Sequence, residues 1–257
     1  MSHCFRILFS VSMLFALLTS CNFGKSNNQD VITPTEEEKA EAVKEVLKQG
    51  LNKAIATLRS KDGFLSDDSL KIAFPDNIQS MIENIKKLPM GKTLVDNAMK
   101  QINQVAGSSI EAAAPIINAA IDSMSVIDVN RILLADNAAA TEYLENVSRA
   151  PIQTACEPII AQSLDKTLIG NLTTRNTLNA LVDSYNNLTE SNVGKVTDLK
   201  PVEDELDKFV TEKMLDAVFY LIAKEEMNIR KHPGVRISKS MAKSFGWIDK
   251  EQKKNNS

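Results

Sequence analysis

The run of residues 214–223 is almost entirely apolar, and it is the feature that most constrains the fold. It lies within a predicted helix at about residues 202–231, and Pro233-Gly234 then ends the helical pattern. A helix that is apolar on nearly every side is a central one. The pattern therefore predicts an interior helix with the rest of the chain packed around it.

The first helix of the predicted domain begins after a capping sequence, Thr33-Pro34-Thr35-Glu36. Thr33 supplies a capping hydroxyl, Pro34 takes the first helical position, and Glu36 lies three residues after the cap. Apolar residues then recur at steps of three and four as far as Leu58, with Lys and Glu between them. This spacing predicts an amphipathic helix of about 25 residues.

The remaining chain is predicted to be almost wholly helical. Leu70, Ile72 and Phe74 repeat with a period of two before Pro75, which indicates one short extended segment. Because the predicted connections are short, the fold class is all-α: a single irregular multi-helix bundle with at most that one extended segment. Further helices are expected at residues 78–88, 93–106, 109–124, 125–134, 139–147, 151–164 and 175–188, with a short amphipathic tail at 237–247.

The N-terminus has the features of an exported protein. Arg6 precedes an apolar run at residues 7–18, which is shorter than the roughly 20 residues of a spanning helix and fits a signal-peptide core. The next residues, Leu18-Thr19-Ser20-Cys21, resemble the bacterial lipobox, in which small residues precede a cysteine that accepts a diacylglyceryl group. Cys21 is therefore the predicted lipid-attachment site. The alternative is an ordinary cysteine beside a conventional cleavage site.

These features divide the chain into four predicted parts. Residues 1–20 form a signal peptide, and residues 21–33 form the lipidated cysteine and a flexible tether, since residues 22–31 are polar and contain Gly and Ser. Residues 34–248 form the helical domain, and residues 249–257 form a disordered tail. Acyl chains hold such a domain on a membrane without a spanning helix, and we expect it in the periplasm of a bacterial envelope.

Charge and residue usage argue against several classes of function. The formal net charge is −3, so the chain has no electrostatic reason to bind nucleic acid. Only Cys21 and Cys156 survive removal of the signal peptide, and Cys156 lies among apolar neighbours, as expected of a small buried side chain. His232 is then the one histidine and is expected to be a cation at a helix end. The sequence therefore predicts no metal site, no cofactor and no catalytic residue.

The stretch KKLPMGKT, at residues 86–93, ends like a phosphate-binding loop. Such a loop needs a glycine separated by four residues from its Gly-Lys pair, and it lies between a strand and a helix. The required position is Lys86 here, and the preceding segment is a predicted helix. The stretch is therefore interpreted as a corner between two helices with Gly91 as the cap residue, and no nucleotide binding is expected.

Polar side chains follow one line along the last long helix. Lys208, Glu212, Asp216, Tyr220 and Lys224 recur at steps of four and form a narrow stripe, which we call the polar stripe. The candidate site residues within it are Glu212, Asp216, Tyr220 and Lys224.

Two interpretations of the polar stripe are open. In the favoured one it is the solvated edge of a core helix, where pairs four residues apart, such as Glu226 and Arg230, each add a few tenths of a kcal/mol. In the other, Glu212 and Asp216 line a cleft, where they hold a ligand or share a proton.

Three blocks of the chain resemble, in the same order, the blocks of the family known as domain of unknown function 4197. They are GFLSDDSLKIAFP followed by MGK, then AAAPIINAAIDSMSVIDVNRILLADNAAATEYL, and finally FVTEKMLDAVFYLIAKEEMNIRKHP. The resemblance covers roughly residues 43–245. It implies a helical bacterial protein, commonly exported or lipidated, and it implies no established activity.

Three functions stay open at this point. The first is a non-catalytic binding or structural module, tethered through an acylated cysteine, that engages an envelope protein or an apolar ligand. The second is a hydrolase that uses Glu212 and Asp216. The third is a carrier of lipids or other apolar ligands, which needs an apolar cavity between helices. The scarcity of nucleophiles and metal ligands favours the first, so the protein is not expected to be an enzyme.

Overall fold

The computed structural model describes residues 33–74, 76–124, 129–135, 138–169, 172–190 and 206–255. The predicted signal peptide, Cys21 and nearly all of the tether lie outside these residues. The prediction of an all-α bundle is confirmed. Its helices are α1 Glu36–Leu58, α2 Gln79–Lys86, α3 Gly91–Ser123, α4 Val129–Leu134, α5 Ala139–Leu164, α6 Thr174–Glu190, α7 Leu206–Lys231 and α8 Lys239–Asn255, with 3₁₀ turns at Asp76–Ile78 and Pro233–Val235.

Helix α7 lies at the centre of the bundle, as its apolar run predicts. It packs against α1 and α5, while α3 packs on both α1 and α5. A Cβ atom on Gly50 of α1 would come within 3.0 Å of the Cα of Ile222 in α7, so the two backbones approach closely there. The buried residues of α7 include Val210, Met214, Leu215, Val218, Phe219 and Ile222. Within the described parts of the chain, no helix is both long and apolar enough to cross a membrane.

Helix α1 begins two residues later than the capping sequence suggested. Thr35, not Thr33, is the N-cap: its hydroxyl accepts a 3.2 Å hydrogen bond from the amide of Glu38, whose carboxylate accepts a 2.8 Å bond from the amide of Thr35. The Thr-x-x-Glu spacing occurs twice here, at Thr33–Glu36 and, two residues later, at Thr35–Glu38. The second pair forms the reciprocal hydrogen bonds of a capping box.

Helix α3 is continuous through Gly107-Ser108-Ser109, where the prediction of two helices at 93–106 and 109–124 was wrong. The hydroxyls of Ser108 and Ser109 donate to the carbonyl of Val105 at 3.0 and 2.8 Å, so both are satisfied within the helix. A Cβ on Gly107 would lie 3.0 Å from the carbonyl oxygen of Leu58. The glycine therefore serves the contact with α1 and does not end the helix.

Helix α5 is also one element, although two helices at 139–147 and 151–164 were predicted. Pro151 and Pro158 lie inside it and donate no backbone hydrogen bond. Both prolines are exposed, and so is Val147, whose carbonyl would otherwise pair with residue 151. Because water can hydrogen-bond the carbonyl of Val147 on that side, the hydrogen bond lost at Pro151 does not break the helix.

The expected extended segment is present as an irregular strap, not as a strand. Leu70, Ile72 and Phe74 are buried as the two-residue period predicts. The side chain of Asn103 in α3 takes the place of a neighbouring strand, since it accepts from the amide of Ile72 and donates to its carbonyl, both at 2.9 Å. Two short strands that were not predicted, β1 Thr167–Ile169 and β2 Leu172–Thr173, pair antiparallel further along the chain.

The C-terminal helix α8 extends beyond the predicted end of the domain. Residues 249–255, predicted as part of a disordered tail, are helical. Ile248 is buried, and Asp249 forms a 2.7 Å ion pair with Arg236, whose side chain is only 2% exposed. Arg236 also donates to the carbonyls of Ile229 and Arg230 at the end of α7. This buried cation, which was not predicted, therefore joins α8 to the end of α7.

Candidate functional site

At its first two carboxylates the polar stripe contacts helix α5. Asp216 pairs with Arg149 of α5 and with Lys213, the latter at 3.1 Å. Glu212 accepts a 3.2 Å hydrogen bond from the side-chain amide of Gln153, also on α5. These contacts join α5 to the central helix, and they occupy both carboxylates with groups of the protein itself.

Arg149 is the centre of this contact. Its guanidinium also pairs with Glu145 at 2.5 Å and donates to the backbone carbonyl of Glu212 at 3.3 Å. Burial lowers the pKa of Arg149, but the hydrogen bonds and charges of Asp216 and Glu145 outweigh it, so the pKa is raised. Asp216 thus serves as a counter-ion to a permanent cation.

The second half of the polar stripe is more exposed. Tyr220 is 41% exposed, and the ammonium group of Lys224 lies 5.8 Å from the centre of its ring. Lys224 also borders a cavity of about 500 Å³ between α1, the loop at residues 66–70 and α7. We call this the charged cavity; its lining includes Lys53, Asp67, Leu70, Lys224, Glu225 and Asn228.

Glu225 is the buried acid of the charged cavity. It pairs with Lys53 and accepts a 2.9 Å hydrogen bond from the side-chain amide of Gln49. Burial raises the pKa of Glu225, but the hydrogen bonds from Lys53 and Gln49 outweigh it and hold the pKa below its ordinary value of 4.5. A carboxyl group in this state is ionised at neutral pH, so it is a partner for cations and a poor proton donor.

Asp67 lies on the opposite wall of the charged cavity. The backbone amide and hydroxyl of Ser69 lower the pKa of Asp67, and the charge of Lys224 acts in the same direction. The cavity therefore has two lysines in its lining and two carboxylates whose pKa values are lowered.

Among the residues that the structure describes, the most deeply buried charged side chain is Glu226, which was predicted to form a weak surface pair with Arg230. Glu226 is fully buried, and its carboxylate accepts hydrogen bonds from the amides of Ala140 and Thr141, at 3.0 and 2.8 Å, and from the hydroxyl of Thr141 at 2.7 Å. It also pairs with Arg230 at 2.8 Å. The carboxylate lies at the first turn of α5, where free amides and the positive end of the helix dipole favour an anion.

Arg230 satisfies backbone carbonyls at the C-terminal end of α4, the helix that precedes α5. Its guanidinium donates to the carbonyls of Ile132, Leu133 and Ala135 at 2.9 to 3.1 Å. The first two carbonyls belong to the last turn of α4 and the third to the residue that follows it, where a cation is favoured. A single ion pair on α7 therefore caps two helices, and we call this arrangement the α4–α5 junction.

One signal in the sequence pointed to the α4–α5 junction. The predicted helix at 139 begins in Asn137-Ala138-Ala139-Ala140, and the N-cap residue Ala138 has no side-chain acceptor. A buried helix start without its own cap requires an acceptor from elsewhere in the fold. The sequence does not indicate which carboxylate supplies it.

Three other residues named in the sequence, Cys156, His232 and Gly91, lie outside the polar stripe. Cys156 is fully buried, and burial raises the pKa of its thiol to about 11. His232 is exposed and lies 3.1 Å from the carbonyl oxygen of Asn228 at the end of α7. The corner between two helices is present as predicted, but Gly91 is not its cap residue: Met90, in the left-handed region, is the N-cap, and Gly91 is the first residue of α3. Among the described residues, no group of three or more His, Cys, Asp or Glu side chains is placed to hold a metal ion.

The family of the chain follows from a comparison over most of its length. The model of the family described as "Protein of unknown function (DUF4197)" matches residues 33–246. The chain belongs to the DUF4197 family. Comparisons with curated proteins and with solved structures give no match.

The resemblance to DUF4197 blocks includes both sides of the α4–α5 junction. The second block contains α4 and the start of α5, and the third contains Glu226 and Arg230 on α7. The third block also contains the polar stripe from Glu212 onward. The second and third of these blocks are therefore in contact with each other at the α4–α5 junction.

An apolar groove lies on another side of the bundle, between α3 and α5. Its volume is about 640 Å³. Val147 on its rim is 54% exposed, so the groove is open to solvent. Its lining includes Ile116, Ala120, Met124, Tyr143, Val147 and Ile152.

Proposed function

We propose that the protein is a lipoprotein of the bacterial cell envelope whose helical domain is a non-catalytic binding or structural module. In this proposal Cys21 is acylated, and the domain lies in the periplasm at the end of the tether. The lipobox-like residues before Cys21 and the short apolar run at residues 7–18 support the anchor.

The observation that carries the non-catalytic part is the pairing of Asp216 with Arg149. Catalysis by paired carboxylates needs two acids whose environments separate their pKa values and which both reach a substrate. Asp216 is instead a counter-ion of Arg149, and Glu212 is hydrogen-bonded to Gln153. The contacts that bind α5 to the central helix thus use the groups that a hydrolase would require.

The hydrolase alternative is tested by two conservative substitutions. Glu212→Gln and Asp216→Asn remove the acids and keep the shapes of the side chains. We expect each variant to lose at most about 1 kcal/mol of stability, because these ion pairs and hydrogen bonds are partly exposed. Turnover of an envelope component by the wild-type protein that either variant abolishes would contradict the proposal.

The apolar groove between α3 and α5 favours one second candidate, a carrier of apolar ligands. Native mass spectrometry of the mature chain purified from bacterial envelopes tests it, with the denatured mass as the reference. Extra mass that is lost on denaturation, and that falls when Val147→Asp is introduced at the rim, would establish a carrier. A mass equal to that of the chain alone supports a module that acts through a protein partner, which crosslinking in cells then identifies.

A further inference from the structure

The corner between α2 and α3 exposes an unusual number of large apolar side chains. Leu88 is 59% exposed, Met90 78% and Leu94 49%. Pro89 between them is exposed as well. We call residues 86–94 the apolar corner. Single exposed apolar residues are ordinary on protein surfaces, but several together on one projection mark a surface that meets something apolar.

The apolar corner has a defined backbone shape. Met90 has φ 61°, in the left-handed region that residues with a side chain rarely adopt. The amides of Leu88 and Gly91 donate to the carbonyls of Ile85 and Leu88, both at 2.9 Å. A Cβ on Gly91 would come 1.7 Å from the carbonyl oxygen of Ile85, so only glycine fits there. Strained residues held in this way occur often at binding sites, and the side chain of Met90 is the most exposed of the three apolar side chains named above.

The apolar corner also contains three lysines. Lys86, Lys87 and Lys92 are all exposed, within a chain whose formal net charge is −3. Lys86 pairs with Glu83 at 2.9 Å, which offsets one of these charges, while Lys87 donates to the neutral amide of Asn84 at 3.2 Å. The sequence KKLPMGK therefore places apolar side chains at the tip and cations directly behind them.

The apolar corner lies at the end of the domain remote from Thr35. Helices α1 and α3 are antiparallel, because Lys48 of α1 pairs with Asp122 at the end of α3, and Leu58 lies beside Gly107. The first sixteen residues of α3 thus extend beyond the end of α1 by about 24 Å. A chain from Cys21 to Thr35 spans at most about 50 Å, which is enough for the domain to lie along the membrane that holds its anchor.

We propose that the apolar corner binds the surface of a membrane containing anionic phospholipids. Leu88 and Met90 enter the boundary between headgroups and acyl chains, and the three lysines extend to the phosphates. This inference rests on the proposed function, since an anchored domain is always beside such a surface. A protein partner is disfavoured, because protein interfaces bury about 800 Å² on each side and are depleted of lysine, whereas the corner is small and lysine-rich.

The test is cosedimentation of the mature chain, carrying Cys21→Ser so that no lipid is attached, with vesicles of phosphatidylcholine alone or with about one third phosphatidylglycerol. We expect binding to the anionic vesicles only, with salt weakening it. Leu88→Ser with Met90→Ser should weaken binding about tenfold. Lys87→Gln and Lys92→Gln should each weaken it about fivefold. The matched control is Ile237→Ser, since Ile237 is 78% exposed, as Met90 is, but lies before α8.

Absence of binding to anionic vesicles would overturn the inference. An equal loss of vesicle affinity in the Leu88→Ser, Met90→Ser variant and in the Ile237→Ser control would overturn it as well. Crosslinks from position 90 to a protein in cells, without vesicle binding, would assign the corner to a protein partner instead. Because the vesicle experiment uses an unlipidated chain, its failure is independent of whether Cys21 is acylated. A separate measurement, the mass of the N-terminal peptide, tests whether Cys21 is acylated.

Discussion

At the scale of single residues, Glu226 and Arg230 show how much one ion pair contributes when it is buried at helix ends. The pair satisfies amides at the start of α5 and carbonyls at the end of α4. An exposed pair at the same spacing contributes a few tenths of a kcal/mol, whereas removing one member of a buried pair leaves its partner uncompensated.

We therefore predict that Glu226→Gln lowers the free energy of unfolding by about 3 kcal/mol. The control is Glu83→Gln, which removes an exposed carboxylate paired with Lys86. It should change the free energy of unfolding by less than about 0.5 kcal/mol. Urea denaturation followed by circular dichroism measures both. Similar losses in the two variants would show that the α4–α5 junction is no stronger than a surface pair.

Glu225 makes the stability of the domain depend on pH. Its pKa is lower in the folded protein than its ordinary value of 4.5, so its contribution is complete above that value and is lost as the pH falls through the folded pKa. Glu225→Gln should therefore be less stable than wild type at pH 7, and the difference should shrink as the pH falls below about 4.5. Urea midpoints at pH 7, 5, 4 and 3 measure it; a difference that is constant or grows in acid contradicts this assignment.

At the scale of helices, α1 and α7 approach each other closely at Gly50 and Ile222. A methyl group on Gly50 would be crowded, because the Cα of Ile222 is 3.0 Å from its position and the backbone would have to shift to relieve the contact. Gly50→Ala should cost about 1 to 3 kcal/mol. Gly246→Ala in α8 is the matched control, since a Cβ there meets nothing within 4 Å, and it should stabilise by about 0.5 to 1 kcal/mol. If Gly50→Ala is neutral or stabilising in thermal and urea unfolding, the two helices are not in the contact described.

The sequence predicts where helices occur better than where they end. Apolar spacing located α1, α7 and most of the core, because burial on one helix face leaves a repeated pattern. The breaks predicted near Gly107 and Pro151 were wrong, because glycine at residue 107 serves a contact with Leu58 and the prolines of α5 lie on its solvent side. Local signals of this kind carry no information on the neighbouring helix that decides their effect.

The candidate site was predictable only as a pattern. The period of four placed Glu212, Asp216, Tyr220 and Lys224 on one stripe, and the structure keeps them on one helix. Their partners lie far away in sequence: Arg149 is 67 residues from Asp216. Neither the pairing across α5 nor the charged cavity beside Lys224 can be derived from spacing within one helix.

At the scale of the whole molecule, the first and last helices are bound to each other. Lys243 of α8 pairs with Glu38 of α1 at 2.5 Å, and the ammonium group of Lys39 lies 4.7 Å from the ring of Trp247. The start of the domain, where the predicted tether joins it, is thus held by the C-terminal helix. If the domain is tethered at residue 33, as proposed, these contacts join the helix beside the tether to the other end of the chain.

The tether through Cys21 is the feature on which the proposed function depends. Mass spectrometry of the N-terminal peptide, from protein purified out of bacterial membranes in detergent, tests it most directly. We expect a mature chain that begins at Cys21 and carries the added mass of a diacylglyceryl group, with or without a further acyl chain on its amino group. A chain that begins elsewhere, or an unmodified Cys21, would contradict it.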